Sequence, residues 1–285
     1  MSIQVWGMIG AGVVALISGL FLARGRFRAA SGAGRIVVLG PVFEAVALAV
    51  FATEHFLAAR DLMLIVPRWM PFPLFWTYFV GAALLAAAIS FIAWRHVRWS
   101  AALLALLFLI IVATIDLPNI PPHVRERLFW TLTVRELAFA SGAIVLADSV
   151  WPSSTSTMGV ALMWLGRVLL SATLVFYAIQ HFLFPRFVPG VPLEKLTPAW
   201  MPAPTLIAYL VGIALLLTGV GLLIRRTTRI AAASGGMVLL LLTAFFYVPI
   251  LAMEIHTELA TEGINYVFDT LLFAATVLLA GFGAD

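Results

Sequence analysis

"PRWMPFP" at residues 67–73 and "PAWMPAP" at residues 198–204 share five of seven letters at a spacing of 131 residues. Proline cannot continue a helix, and the residue before a proline is pushed toward extended geometry. Each copy therefore predicts the end of one element, a short extended run, and a new helix with proline in its first turn. More pairs keep the same offset: Tyr78 with Tyr209, Gly81 with Gly212, Arg95 with Arg226 and Pro118 with Pro249. Upstream, "EHFL" at residues 54–57 answers "QHFL" at residues 180–183, after a five-residue insertion in the second copy. Downstream, Glu136 falls against Asp269 with a two-residue shift. The chain reads as a tandem duplication, residues 35–150 and 151–285, preceded by an N-terminal segment over residues 1–34.

Composition sets the solvent. Of 285 residues, 63% are hydrophobic and only 11% charged, and the mean hydropathy is +1.09. A soluble domain is about a quarter charged. The surface must face lipid, which leaves helices or a closed barrel as the spanning structures. The apolar runs are long and do not alternate, so they predict transmembrane helices. Nine spans are expected, over residues 3–22, 36–57, 74–94, 100–117, 129–150, 162–183, 205–224, 230–251 and 264–282. The expected fold is an all-α polytopic membrane protein: an N-terminal helix followed by two four-helix-bundle repeats. Four spans per copy keep both copies in one orientation, with a pseudo-two-fold axis along the membrane normal.

With no cysteine, disulfides, thiol relays, c-type haem attachment and cysteine-ligated clusters are excluded. The net charge of +4 is no sign of nucleic-acid binding in such a chain. Its arginines instead mark loops. Arg24, Arg26, Arg28, Arg35, Arg95, Arg98, Arg225, Arg226 and Arg229 fall on one side of a nine-span topology. The positive-inside rule makes that side cytoplasmic. The N-terminus is then outside and the C-terminus inside, in a bacterial or archaeal cytoplasmic membrane.

A helix ending "HFL", a loop with P-x-W-M-P-x-P, a Tyr, a small-residue stretch, a basic turn and a span ending "LP" or "VP" occur in both halves. This arrangement resembles the DoxX family of four-helix membrane proteins, here in tandem over residues 35–285. The resemblance implies a membrane subunit linked to respiratory redox reactions of the thiosulfate- and quinone-linked kind. It implies a quinone as cofactor and other membrane subunits as partners, beside the lipid itself. It carries over no catalytic residue.

Ionisable residues inside a membrane cost at least about 2.5–3.5 kcal/mol each on insertion scales, so each calls for a partner or a purpose. Glu44 lies within the second span, and His55, eleven residues on, shares its face about 16 Å away. Glu54, His55 and Asp116 gather on the outer side of copy one, where a quinone head could meet polar groups. Their counterparts in copy two are Gln180, His181 and Tyr247, and Leu170 stands for Glu44. Glu44, Glu54, His55, Asp116 and His181 are the candidate site residues. His55 and His181 could also flank one axial haem, although no second pair completes such a cage. No His/Asp/Glu spacing suits a metal. Glu136 and Asp269 are unusual too, several turns into equivalent last spans, with Arg135, Arg125 and Arg127 available to pair with Glu136. Three functions remain open: a quinone-interacting redox subunit, a structural or assembly subunit, and a small transporter or lipid-handling protein.

Overall fold

The computed structural model describes residues 3–150 and 157–283. The boundary between the copies adjoins residues 151–156, which lie outside the described residues. Among the described residues, nine helices are long and apolar enough to cross a membrane: α1 Ile3–Ala29, α2 Gly34–Leu57, α3 Pro73–Ala93, α4 Val97–Asn119, α5 Arg127–Ser149, α6 Thr157–Leu183, α7 Pro204–Leu223, α8 Thr228–Glu254 and α9 Ala260–Leu279. The all-α polytopic fold is as expected. The only pairing of extended chain among these residues is a bridge between Phe187 and Leu196.

Span ends differ from the hydropathy reading where charge and helix coexist. Helix α1 runs to Ala29, so Arg24, Arg26 and Arg28 sit on its last turns, not in a loop. The Arg26 guanidinium lies 3.8 Å from the Trp94 ring centre, a contact that lets a cation remain at the membrane edge.

The duplication is written into the backbone. Helices α3 and α7 start at Pro73 and Pro204, at the offset of 131. Their preceding residues, Phe72 and Ala203, are both left-handed (φ 55° and 45°), where the sequence predicts extended geometry. A left-handed residue costs roughly 1–2 kcal/mol unless it is glycine, so both copies hold the same strained turn. Helices α4 and α8 each contain one π-helical stretch, residues 112–116 and 243–247. Pro118 and Pro249 explain them. Neither proline has an N–H, and each ring clashes with the carbonyl four residues back. One wide turn relieves the clash, so the helix passes through each proline; the end expected at residue 117 is overrun, whereas the span expected over 230–251 already includes Pro249.

Within copy one, α2 packs on α3, α3 on α4 and α4 on α5; copy two repeats this with α6, α7, α8 and α9. The copies interlock. Helix α2 also packs against α9, α6 against α5, and α5 meets α9 at the centre. A Cβ on Gly142 of α5 would lie 2.8 Å from the Thr276 side chain of α9, so glycine sets how closely these central helices approach. Helices α5 and α9 thus face each other between the two halves. Helix α1 lies outside the repeat, mainly against α2.

Consecutive spans alternate in direction. One face carries the two proline-rich turns, and the other carries the basic loops after α1, α3 and α7. They are called here the proline face and the arginine face.

Candidate functional site: a polar centre between the two repeats

Helix α9 places Asp269 nine residues from its start, about 14 Å along its axis. Helix α5 places Arg135 and Glu136 at a similar depth. Arg135 Nη1 donates to Asp269 Oδ2 on α9, and Nη2 donates to Glu136 Oε1 at 2.9 Å. The side chains retain only 18%, 12% and 9% of their exposure, in the order Arg135, Glu136 and Asp269. A planar guanidinium suits this bidentate duty because its donors are fixed in one fork.

Two expected candidates join this centre. Glu54, near the end of α2, accepts a 3.0 Å hydrogen bond from Asn265 Nδ2. Asn265 lies one turn before Asp269 on α9, and the Glu54 and Asp269 carboxyls are within electrostatic reach of each other. Asp116, at the end of the first π turn, is within reach of Arg135 and Glu136. It stays half-exposed, while its Oδ2 is buried without a protein partner. Three carboxyls, Asp269, Glu136 and Asp116, thus lie around one guanidinium, and Glu54 adjoins the group through Asp269. Arg135 Nε and Asn265 Oδ1 are also buried without hydrogen-bond partners among the described residues.

The other candidates lie elsewhere. Glu44 is fully buried and neither of its oxygens has a partner among the described residues. His55 Nδ1 donates to Phe51 O at 2.8 Å, and its Cβ abuts Gly81 of α3. His181 repeats both features, at Tyr177 O (2.6 Å) and against Gly212. It adds a third. The Gly190 N–H donates to His181 Nε2 at 2.9 Å, so Nδ1 carries the proton given to Tyr177 O. Both ring nitrogens of His181 are thus engaged within the fold, which leaves none for an axial haem. Among the described residues no His, Asp or Glu group is arranged to hold a metal ion.

The five-residue insertion of copy two explains His181. Residues 188–192, "VPGVP", are all buried although they belong to a connecting loop. Gly190, at φ +104°, turns the chain where a side chain would be strained. His181 holds the Gly190 N–H, and Tyr247 OH donates to Pro189 O at 2.6 Å. Arg127 donates to the carbonyls of Pro192 and Leu193, so it serves the loop and not Glu136. Tyr266 OH accepts from the Lys195 N–H at 3.1 Å. Every clamping residue comes from a helix bordering the polar centre, so the loop plugs the copy-two side of that centre. Copy one has no such plug.

The pseudo-symmetry makes the asymmetry measurable. Glu54, Asp116 and Glu136 of copy one correspond to Gln180, Tyr247 and Asp269 of copy two, and Arg135 corresponds to Phe268. One half holds most of the charge and a half-exposed edge; the other is neutralised at two positions and plugged. Comparison of the chain with family models, with curated proteins and with solved structures returns no match.

Proposed function

We propose that this integral membrane protein is a proton-exchanging subunit of a membrane redox complex, working at Asp116, Glu54, Glu136 and Asp269 from the proline face of copy one. The observation that carries the reading is three carboxyls, Asp269, Glu136 and Asp116, around the guanidinium of Arg135, with a fourth, Glu54, beside Asp269. In an apolar interior one cation offsets one carboxylate, and further negative charge is prohibitively costly. The surplus carboxyls carry protons, and a group that holds a proton inside a membrane can pass it on. Asp116 is the edge of this set that meets lipid.

The resemblance to DoxX proteins supplies the redox half of the reading, with a quinone as the lipid-soluble partner. A quinone accepts or releases protons with its electrons. Its head needs polar partners at the hydrocarbon boundary, and half-exposed Asp116, near the end of α4, fits that need. The buried carboxyls behind it fit proton storage and not direct contact. The arginine face is cytoplasmic in this reading, by the positive-inside rule.

Infrared difference spectroscopy of the purified protein between about pH 5 and pH 9 tests the proton-holding step. Loss of part of the protonated-carboxyl band in E136Q and D116N is expected; an unchanged band in both overturns it. A photoreactive quinone analogue tests the partner. It should label α4 near Asp116 in preference to α8 near Tyr247. Equal labelling of the two, or none, overturns the quinone assignment alone.

A structural reading has its own observation: the Arg135–Asp269 pair ties the copies together. It predicts that D116N changes neither proton uptake nor stability.

A further inference from the structure

A cavity of ≈490 Å³ opens on the proline face between the end of α6 and the start of α7, lined by Leu183, Phe184, Pro185, Arg186, Thr197, Pro204 and Thr205. It is separate from the polar centre and plays no part in the function proposed above. We propose that it binds the phosphate headgroup of an anionic membrane phospholipid.

Its level is the first argument. Helix α6 ends at Leu183 and α7 begins at Pro204, so the cavity sits where the hydrocarbon gives way to headgroups. Its lining is the second. One wall is apolar, and Leu183, Leu206 and Leu210 continue as exposed side chains along α6 and α7, the path an acyl chain would follow. The other wall is polar and, at its rim, cationic.

Charge is the third argument. Arg186 is exposed, packs 5.0 Å from the Phe187 ring centre, and forms no ion pair among the described residues. No carboxylate lines the cavity. The Thr197 hydroxyl oxygen is buried without a partner among the described residues. Beside it, α7 starts without a side-chain cap, and the Ile207 N–H, bonded to Ala203 O, takes the cap's carbonyl. The N–H groups before it are open to an anion, and the helix dipole adds to their pull. A guanidinium, a hydroxyl and a helix start converging on one space form a phosphate site, and the apolar wall selects a lipid over a free ion.

Copy one supplies the control. Arg60 stands at the equivalent of Arg186, but Asp61 follows it where copy two has Phe187.

Native mass spectrometry of the detergent-purified full chain tests the proposal with three probes: phosphatidylglycerol, phosphatidylcholine and inorganic phosphate. One retained phosphatidylglycerol per chain is expected, with little phosphatidylcholine and no inorganic phosphate. R186Q should lower phosphatidylglycerol retention by about tenfold, the worth of one charge-assisted pair. T197V should lower it less, and R60Q should leave it unchanged. R186K, which keeps the charge, guards against a folding defect and should retain most of the binding. Equal retention of the two lipids, equal loss in R60Q and R186Q, or full retention in R186Q overturns the proposal. Inorganic phosphate bound as well as the lipid would reduce it to a free-anion site and so overturn the lipid assignment.

Discussion

Arg135 and Asp269 lie 134 residues apart, on helices of different halves of the chain, and their side chains pair where α5 and α9 meet. The duplication itself cannot produce this pair, because Phe268 occupies the position of Arg135 in copy two. One guanidinium serves both halves.

Removing it should therefore uncouple them. Arg135→Met leaves buried carboxyls without their cation, and breaking a buried pair from one side costs about 3–5 kcal/mol. Asp269→Asn alone strands less, because Glu136 still holds the guanidinium at 2.9 Å. The double variant should be less destabilised than the sum of the singles. Denaturant unfolding in mixed micelles measures the coupling; strict additivity would show that the pair carries no shared energy.

Much of this architecture is legible in sequence, for identifiable reasons. The offset of 131 fixes the starts of α3 and α7 at Pro73 and Pro204, because a duplicated turn leaves a duplicated spelling. Pro118 and Pro249 mislead, since proline reads as a terminator and here is absorbed by one π turn. Glu54 and Asp116 can be read as candidates from their place at outer helix ends, yet the partner of Glu54 is Asn265, 211 residues away. That contact exists because α2 packs on α9 of the other copy, and nothing in either helix announces the exchange. The plug is hidden for a similar reason: an inserted "VPGVP" spells a loop, and only its burial reveals that it fills the fold. Glu136 and Asp269 stand out as equivalent in the sequence, but their meeting through Arg135 does not.

The plug should depend on His181. His181→Phe keeps the bulk and removes the acceptor of the Gly190 N–H, leaving a buried donor unpaired at a cost of about 1–3 kcal/mol. The loop over residues 184–203 should then open more often, and a protease added at the proline face should cut it faster. His55→Phe serves as the comparison, because His55 holds no loop. Equal cleavage of the two variants would remove the assigned role of His181.

Lys195 gives the plug a pH dependence. Its ammonium is 2.8 Å from Glu254 and 3.1 Å from Glu262, which ties the loop to the ends of α8 and α9. Burial alone would lower its pKa, but the hydrogen bonds to Glu254 and Glu262 outweigh that and raise it. A folded pKa raised above the unfolded one contributes stability that is complete below the unfolded value, about 10.4 for lysine. That contribution is lost as pH climbs through the folded value. Loop protection against proteolysis should therefore be level through neutral pH and fall only in the strongly alkaline range, and K195M should lack that alkaline loss. A decline already present at neutral pH would assign the loop's anchoring to other groups.

Glu44 should be a residue that the fold is better off without. It is wholly buried on α2, its two oxygens have no partner among the described residues, and copy two places Leu170, also wholly buried, at the same point. A buried carboxyl without partners loses the full desolvation free energy and gains nothing back. Replacement of buried polar groups by well-packed apolar ones of similar size is often stabilising, by about 1–4 kcal/mol for ion pairs. Glu44→Leu, the substitution the duplication itself displays, should raise the midpoint of thermal unfolding. Glu44→Gln keeps an amide to bury and should change little. A clear loss of stability in both variants would mean that Glu44 satisfies a structural need of copy one. A gain in Glu44→Leu together with lower proton uptake in the infrared assay would mark a carboxyl kept against the interest of the fold. Its place in the half of the membrane nearer the arginine face would then extend the proton-holding set beyond the polar centre.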